Sequence, residues 1–163
     1  MASRPALPTN AEIADRLDLL AELLDVDGAE RHRILAYRRA AARIRECGEE
    51  VARLALAGRA VDLPDVGPTL QAKIVELVET GDIATLARLR ARVPPGLAEI
   101  ARLEGIGGRR ARAIREALGV EGIEDLRAAV AQGRLREVPG LGPRSRAAIA
   151  RQLGVVPPAE TAR

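Results

Sequence analysis

Three copies of one short turn constrain this chain more than any other feature. The first is Leu63-Pro64-Asp65-Val66-Gly67-Pro68-Thr69-Leu70, running on through Gln71 and Ala72 to Lys73 and Ile74. The second is Leu103-Glu104-Gly105-Ile106-Gly107-Gly108-Arg109 leading to Ala113 and Ile114, and the third is Val138-Pro139-Gly140-Leu141-Gly142-Pro143-Arg144 leading to Ala148 and Ile149. From Gly67 to Gly107 and from Gly107 to Gly142 the steps are 40 and 35 residues. One small unit copied in series cannot bury its own apolar face, so the copies must pack. Each has an apolar residue entering the turn (Leu63, Leu103, Val138), one between the glycine positions (Val66, Ile106, Leu141), and more on the helix that follows (Leu70 and Ile74; Ala111 and Ile114; Ala147, Ile149 and Leu153). Glycine permits positive φ and close backbone approach. The helix behind it offers unpaired N–H groups and a positive dipole end, an arrangement suited to a phosphate.

The rest of the chain reads as helix. Asn10 is the expected N-cap of a helix with Ile13, Leu17, Leu20 and Leu24 on its apolar side, ending near Asp27-Gly28. A second helix is expected from about Glu30 to Cys47, with Ile34, Tyr37, Ala41 and Ile44 inward and Arg31, Arg33, Arg38, Arg39, Arg43 and Arg45 elsewhere on its surface. Shorter helices follow over about Glu49–Ala57, Pro68–Thr80 and Ala84–Arg92, and Val93-Pro94-Pro95-Gly96 is the clearest break. Beyond it come a short helix from about Leu97, the second hairpin, a helix over Ile123–Ala131 and the third hairpin. No strand-like alternation is present. The expectation is an all-α fold of tandem hairpins in two small helical units: a flexible arm over 1–9, an N-terminal domain over 10–93 with the first hairpin, a second domain over 94–154 with the other two, and a tail over 155–163.

With 47% apolar residues and almost no aromatics, the core must be Leu, Ile, Val and Ala. A net charge of +3 fits a polyanionic partner without requiring one. The single Cys47 excludes an intramolecular disulfide or a zinc cluster. No apolar run has the length of a membrane span or a signal-peptide core, so a cytoplasmic, nucleoid-associated monomer without membrane contact is expected. Among the 26 lysine-plus-arginine residues, every one but Lys73 is arginine. A lysine can lose its proton and act as an amine nucleophile, which a guanidinium cannot. By spacing alone, a lone lysine on a helix reads as a solvated charge.

The apolar-Pro-Gly-apolar-Gly turns followed by Ala/Ile helices resemble the helix-hairpin-helix motif, which grips the nucleic-acid backbone. Together with Ala36-Tyr37-Arg38-Arg39-Ala40-Ala41, the first unit resembles the amino-terminal region of X-family DNA polymerases, the beta-type repair polymerases and their bacterial relatives. The resemblance covers roughly Asn10 to Leu153. It implies that Lys73 is the Schiff-base lysine that removes 5'-deoxyribose phosphate from an incised abasic site, that His32 and Arg33 hold the 5'-phosphate, that Tyr37 leans on the sugar or base, and that Arg38 belongs to the same phosphate- and sugar-binding set. It implies DNA-backbone contacts at Gly67, Thr69, Gly105, Gly107, Arg109, Arg110, Gly140, Gly142 and Arg144. It also implies sodium or potassium ions on the carbonyls of Val61, Leu63 and Val66, of Ala101, Leu103 and Ile106, and of Arg136, Val138 and Leu141. No other cofactor is implied. The partners would be gapped, nicked or abasic DNA and a separate polymerase or ligase.

The chain departs from that pattern in places. Asp65 stands where the first turn usually has glycine, Thr69 and Thr85 replace phosphate-binding lysines, and Ala72 replaces an acidic neighbour of the lysine; Arg59 and Arg33 are the candidates to compensate. A catalytic polymerase half would follow the hairpins, and the sequence stops there, as either a fragment or a freestanding protein would. A second class of function stays open: the hairpins as scaffolding for a protein-interaction module whose basic face docks an acidic partner.

Overall fold

The computed structural model describes residues 5–159, and in that stretch it consists of helices and turns without a strand. The helices are α1 (Asn10–Asp27), α2 (Arg31–Glu46), α3 (Val51–Leu56), α4 (Pro68–Thr80), α5 (Ala84–Arg92), α6 (Pro95–Ala101), α7 (Gly107–Leu118), α8 (Ile123–Ala131) and α9 (Pro143–Leu153). Short 3-10 turns over Ala60–Asp62 and Arg134–Glu137 lead into the first and third hairpins. The expected arm and tail fall partly on residues 1–4 and 160–163, outside the described residues.

The chain forms two compact units. One comprises residues up to Leu24 and Ala29–Ala91; the other comprises Asp25–Gly28 and the chain from Arg92 onward. The last residues of α1 therefore pack with the second unit. In the first unit Ile13, Leu17, Leu20, Ile44, Ile74, Ile83, Leu86 and Leu89 are almost fully buried, and Tyr37 joins them at 5% exposure. In the second, Ile100, Ile114, Leu126 and Ile149 are the most deeply buried large side chains. Val66, Ile106 and Leu141, the residues between the glycine positions, are all buried, as are Leu70, Ile74, Ala111, Ile114, Ile149 and Leu153 on the following helices. Ala147 differs from its expected place and is exposed.

Asn10 does not cap α1. Its carboxamide donates to the carbonyls of Cys47 and Glu49 at 3.1 and 2.8 Å and accepts from the Val51 N–H at 2.9 Å, fastening the α2–α3 connection instead. The cap is Thr9: its hydroxyl accepts from the Glu12 N–H at 3.2 Å, and the Glu12 carboxylate accepts from the Thr9 N–H at 2.7 Å. That reciprocal pair is a capping box, and Thr9-Asn10-Ala11-Glu12 is its sequence signature. The Pro94-Pro95-Gly96 break is the start of α6, with Pro94 as N-cap and Pro95 at the first helical position.

Candidate nucleic-acid interface

The three turns share one backbone device. Asp65, Gly105 and Gly140 all adopt positive φ, at 66°, 78° and 79°. In each turn the N–H of the intervening apolar residue donates back to the entering one: Val66 to Leu63 at 3.2 Å, Ile106 to Leu103 at 3.0 Å, Leu141 to Val138 at 3.4 Å. The carbonyls of Leu63, Leu103 and Val138 therefore each accept one turn hydrogen bond and keep a lone pair. Asp65 is the only non-glycine at positive φ among the described residues. Aspartate tolerates this region better than bulky residues. Its carboxylate lies 3.5 Å from a guanidinium nitrogen of Arg43 on α2, so the negative charge placed in the first turn meets a cation.

The first and third hairpins agree further. Gly67 and Gly142 are extended, at φ −91° and −74°, with open space around them, and Pro68 and Pro143 begin the helices. Neither N-cap glycine has a side chain to cap its helix, and proline brings no N–H at the first position, so the helix-end donors begin at Thr69 and Arg144. Thr69 and Arg144 are exposed beside these starts. The second hairpin differs: α7 begins at Gly107 itself, at φ +66°, and the N–H of Gly108 donates to the Asp25 carboxylate at 3.0 Å. Arg110 turns back to donate to the Gly105 carbonyl at 2.5 Å, and Arg109 stays exposed.

Lys73 lies in the second turn of α4, half-buried, and its ammonium donates to the Thr85 hydroxyl at 2.9 Å. The same hydroxyl accepts from Arg88 at 3.2 Å. The amine is pushed below its ordinary value of 10.5, chiefly because burial disfavours the ammonium; Glu76 opposes this, and the cations Arg33 and Arg88 add to the depression. The Glu76 carboxylate is itself engaged, accepting from the Ala84 N–H at 2.8 Å at the start of α5. Gln71 braces the approach to the turn, accepting from the Ala60 N–H at 2.9 Å and donating to the Ala55 carbonyl at 2.5 Å.

Of the residues expected around Lys73, Arg33 is within its electrostatic reach. His32 is not drawn into a pocket: its side chain is 80% exposed and lies 3.2 Å from Glu30. Tyr37 sits in the core, so its ring backs α2 and presents little surface, and Arg38 is exposed on the same helix. Arg59 pairs with Asp62 at 3.2 Å. Sequence reasoning did not pick out Arg88 or Asp25, and it took Thr85 for a lost lysine. The one available signal for Arg88 was its place, three residues after Thr85 on a helix.

Comparison with known proteins matches this geometry. A helix-hairpin-helix domain profile fits residues 8–83, and a SAM-like helix-hairpin-helix tandem fits residues 97–154. The chain thus carries helix-hairpin-helix repeats in tandem. The tandem is 27% identical over 143 residues to the DNA polymerase/3'-5' exonuclease PolX of Bacillus subtilis, an alignment covering 88% of this chain and 25% of that protein. It thus spans about a quarter of the relative's length. Hairpin domains and likeness to a polymerase named PolX agree with the resemblance to an X-family amino-terminal region, and both support DNA as the partner. Among the described residues no helix is long and apolar enough to cross a membrane.

Proposed function

We propose that this chain binds DNA through its sugar-phosphate backbone without reading base sequence, and that Lys73 makes it a 5'-deoxyribose-phosphate and abasic-site lyase. The observation that carries the reading is the Lys73 amine, half-buried and hydrogen-bonded to Thr85, in the field of Arg33 and Arg88 beside the first hairpin. Burial and neighbouring cations both favour the neutral amine, the form that attacks a carbonyl. The same cations suit a phosphate on the sugar.

The chemistry balances without any further reagent. The Lys73 nitrogen adds to the C1' aldehyde of the open-chain sugar, and loss of water leaves a protonated imine. The imine draws electrons from the C2'–H bond; the proton passes to solvent, its electron pair forms the C2'–C3' double bond, and the C3'–O bond breaks to expel the 3' phosphate. Water then hydrolyses the imine and restores the lysine. Thr85, accepting from Lys73, fixes where the amine points, an orientation effect. Arg33 and Arg88 steady the 5'-phosphate. A monovalent cation on the turn carbonyls would add a positive charge next to a DNA phosphate. The substrate in this reading is gapped, nicked or incised abasic DNA within base-excision-type repair.

A fluorescence titration with gapped duplex tests the binding half. Log Kd should rise with log salt with a slope of about 3, the signature of roughly three neutralised phosphates. Changing the base sequence at fixed geometry should alter Kd less than about threefold. Binding that ignores salt, discriminates strongly between sequences, or fails at tens of micromolar would favour the protein-interaction alternative.

A further inference from the structure

The second hairpin differs from the first and third in a linked set of features, and all of them point to one cause. Gly108 stands where Pro68 and Pro143 stand in the other two. A Cβ at Gly108 would lie 2.3 Å from the Asp25 carbonyl oxygen and 2.7 Å from the Val26 nitrogen, so only glycine lets the end of α1 come this close. The Gly108 N–H, a donor that Pro68 and Pro143 lack, donates to the Asp25 carboxylate at 3.0 Å, which sets the carboxylate over the start of α7. One turn further along α7, Arg112 donates to the carbonyls of Asp25 and Val26 at 2.5 and 3.1 Å. The two helix ends thus cap one another: α1 supplies a carboxylate to the positive end of α7, and α7 supplies a guanidinium to the carbonyls that end α1.

We infer that the second hairpin is an internal lock, its helix start covered by the Asp25 carboxylate and the end of α1, and that DNA contact in the second unit passes to the third hairpin. The second half of this inference rests on the DNA-binding reading above; the lock itself does not. A phosphate brought to the start of α7 would meet a carboxylate already hydrogen-bonded there and a backbone already in contact. The third hairpin has neither obstacle: a Cβ at Gly142 would have nothing within 4 Å, and Pro143 has no N–H for a carboxylate to take.

Backbone amide NMR of the full chain, titrated with gapped duplex, separates the two hairpins. The amides of Gly142, Arg144 and Ser145 should shift, while those of Gly108 and Arg109 stay in place. Comparable shifts at both hairpins would overturn the assignment. Asp25→Asn and Gly108→Ala should each lower Tm by several degrees, with Asp25→Asn binding DNA no more tightly than the parent chain. An unchanged Tm in Asp25→Asn would overturn the lock, and so would a gain in affinity above about threefold, because the carboxylate would then be gating a working phosphate site. If DNA shifts no amide anywhere, the DNA-binding reading fails, and the two Tm values still decide the lock.

Discussion

Lys73→Ala should abolish borohydride-dependent crosslinking to incised abasic DNA, by roughly a hundredfold or more, while the Kd for gapped duplex stays within about threefold. The asymmetry follows from what the residue supplies. Borohydride reduces an imine to a stable amine bond, so trapping requires a nitrogen that can lose a proton, whereas backbone binding draws on many N–H groups and arginines. Lys73→Arg should lose trapping as completely as the alanine variant, because it keeps the charge and removes the nucleophile. The chain has one lysine, so the N-terminus is its only other amine of that reactivity. Full trapping by Lys73→Ala with a blocked N-terminus would refute the assignment.

The pH dependence of trapping carries the same argument further. The amine is held below 10.5 first by burial and then by Arg33 and Arg88, against Glu76, so the trapping rate should climb with pH and level off at a pH below that of free lysine. The sign matters: a depressed lysine value means more neutral amine at neutral pH. Arg88→Ala removes a cation that lowers the value, and its inflection should move upward. Thr85→Val should cut the maximal rate by roughly tenfold by freeing the amine to wander, with Thr85→Ser restoring it. A Thr85→Val profile identical to wild type would show that the hydroxyl is a bystander to the 2.9 Å contact.

What the sequence made legible was whatever rests on local pattern. The turn glycines announce themselves because positive φ is a local demand, and the helices follow from apolar spacing within a few turns; Lys73 stood out through composition alone. The contacts that give the site its character join distant residues, and no periodicity reports those. Thr85 reached Lys73 from the next helix and looked like a missing lysine. Asp65 looked like a misplaced carboxylate because its partner Arg43 is on α2. Tyr37 had the spacing of a site residue and is equally what an apolar helix face needs, and its burial favours the second role. Asn10 shows a local rule misapplied: Thr9 and Glu12 carried the capping signature one residue earlier.

Gly96 is where the sequence was most misleading, and it carries the largest stability effect expected of the second unit. Between two prolines and a leucine it reads as a break between units, yet its backbone is pressed against the Glu121–Gly122 peptide. A Cβ there would lie 2.0 Å from the Glu121 carbonyl oxygen and 2.8 Å from the Gly122 Cα, overlaps with backbone that no side-chain rotation relieves. Both sides of the contact are anchored. Leu97 and Ile100 hold α6 in the core, while Val120 and Leu126 hold the loop on either side of Glu121, and all four are buried. Gly96→Ala must therefore displace one helix start or the other, an overpacking cost of about 3 kcal/mol. For a unit of this size that corresponds to a fall in Tm of roughly 10 °C or more. Gly67→Ala is the matched control, since that glycine is extended and has nothing within 4 Å of its added Cβ, and its Tm should stay within about 2 °C of the parent. Thermal unfolding followed by circular dichroism distinguishes the two; equal Tm values would mean that the α6–α8 contact yields freely and that Gly96 is only a break.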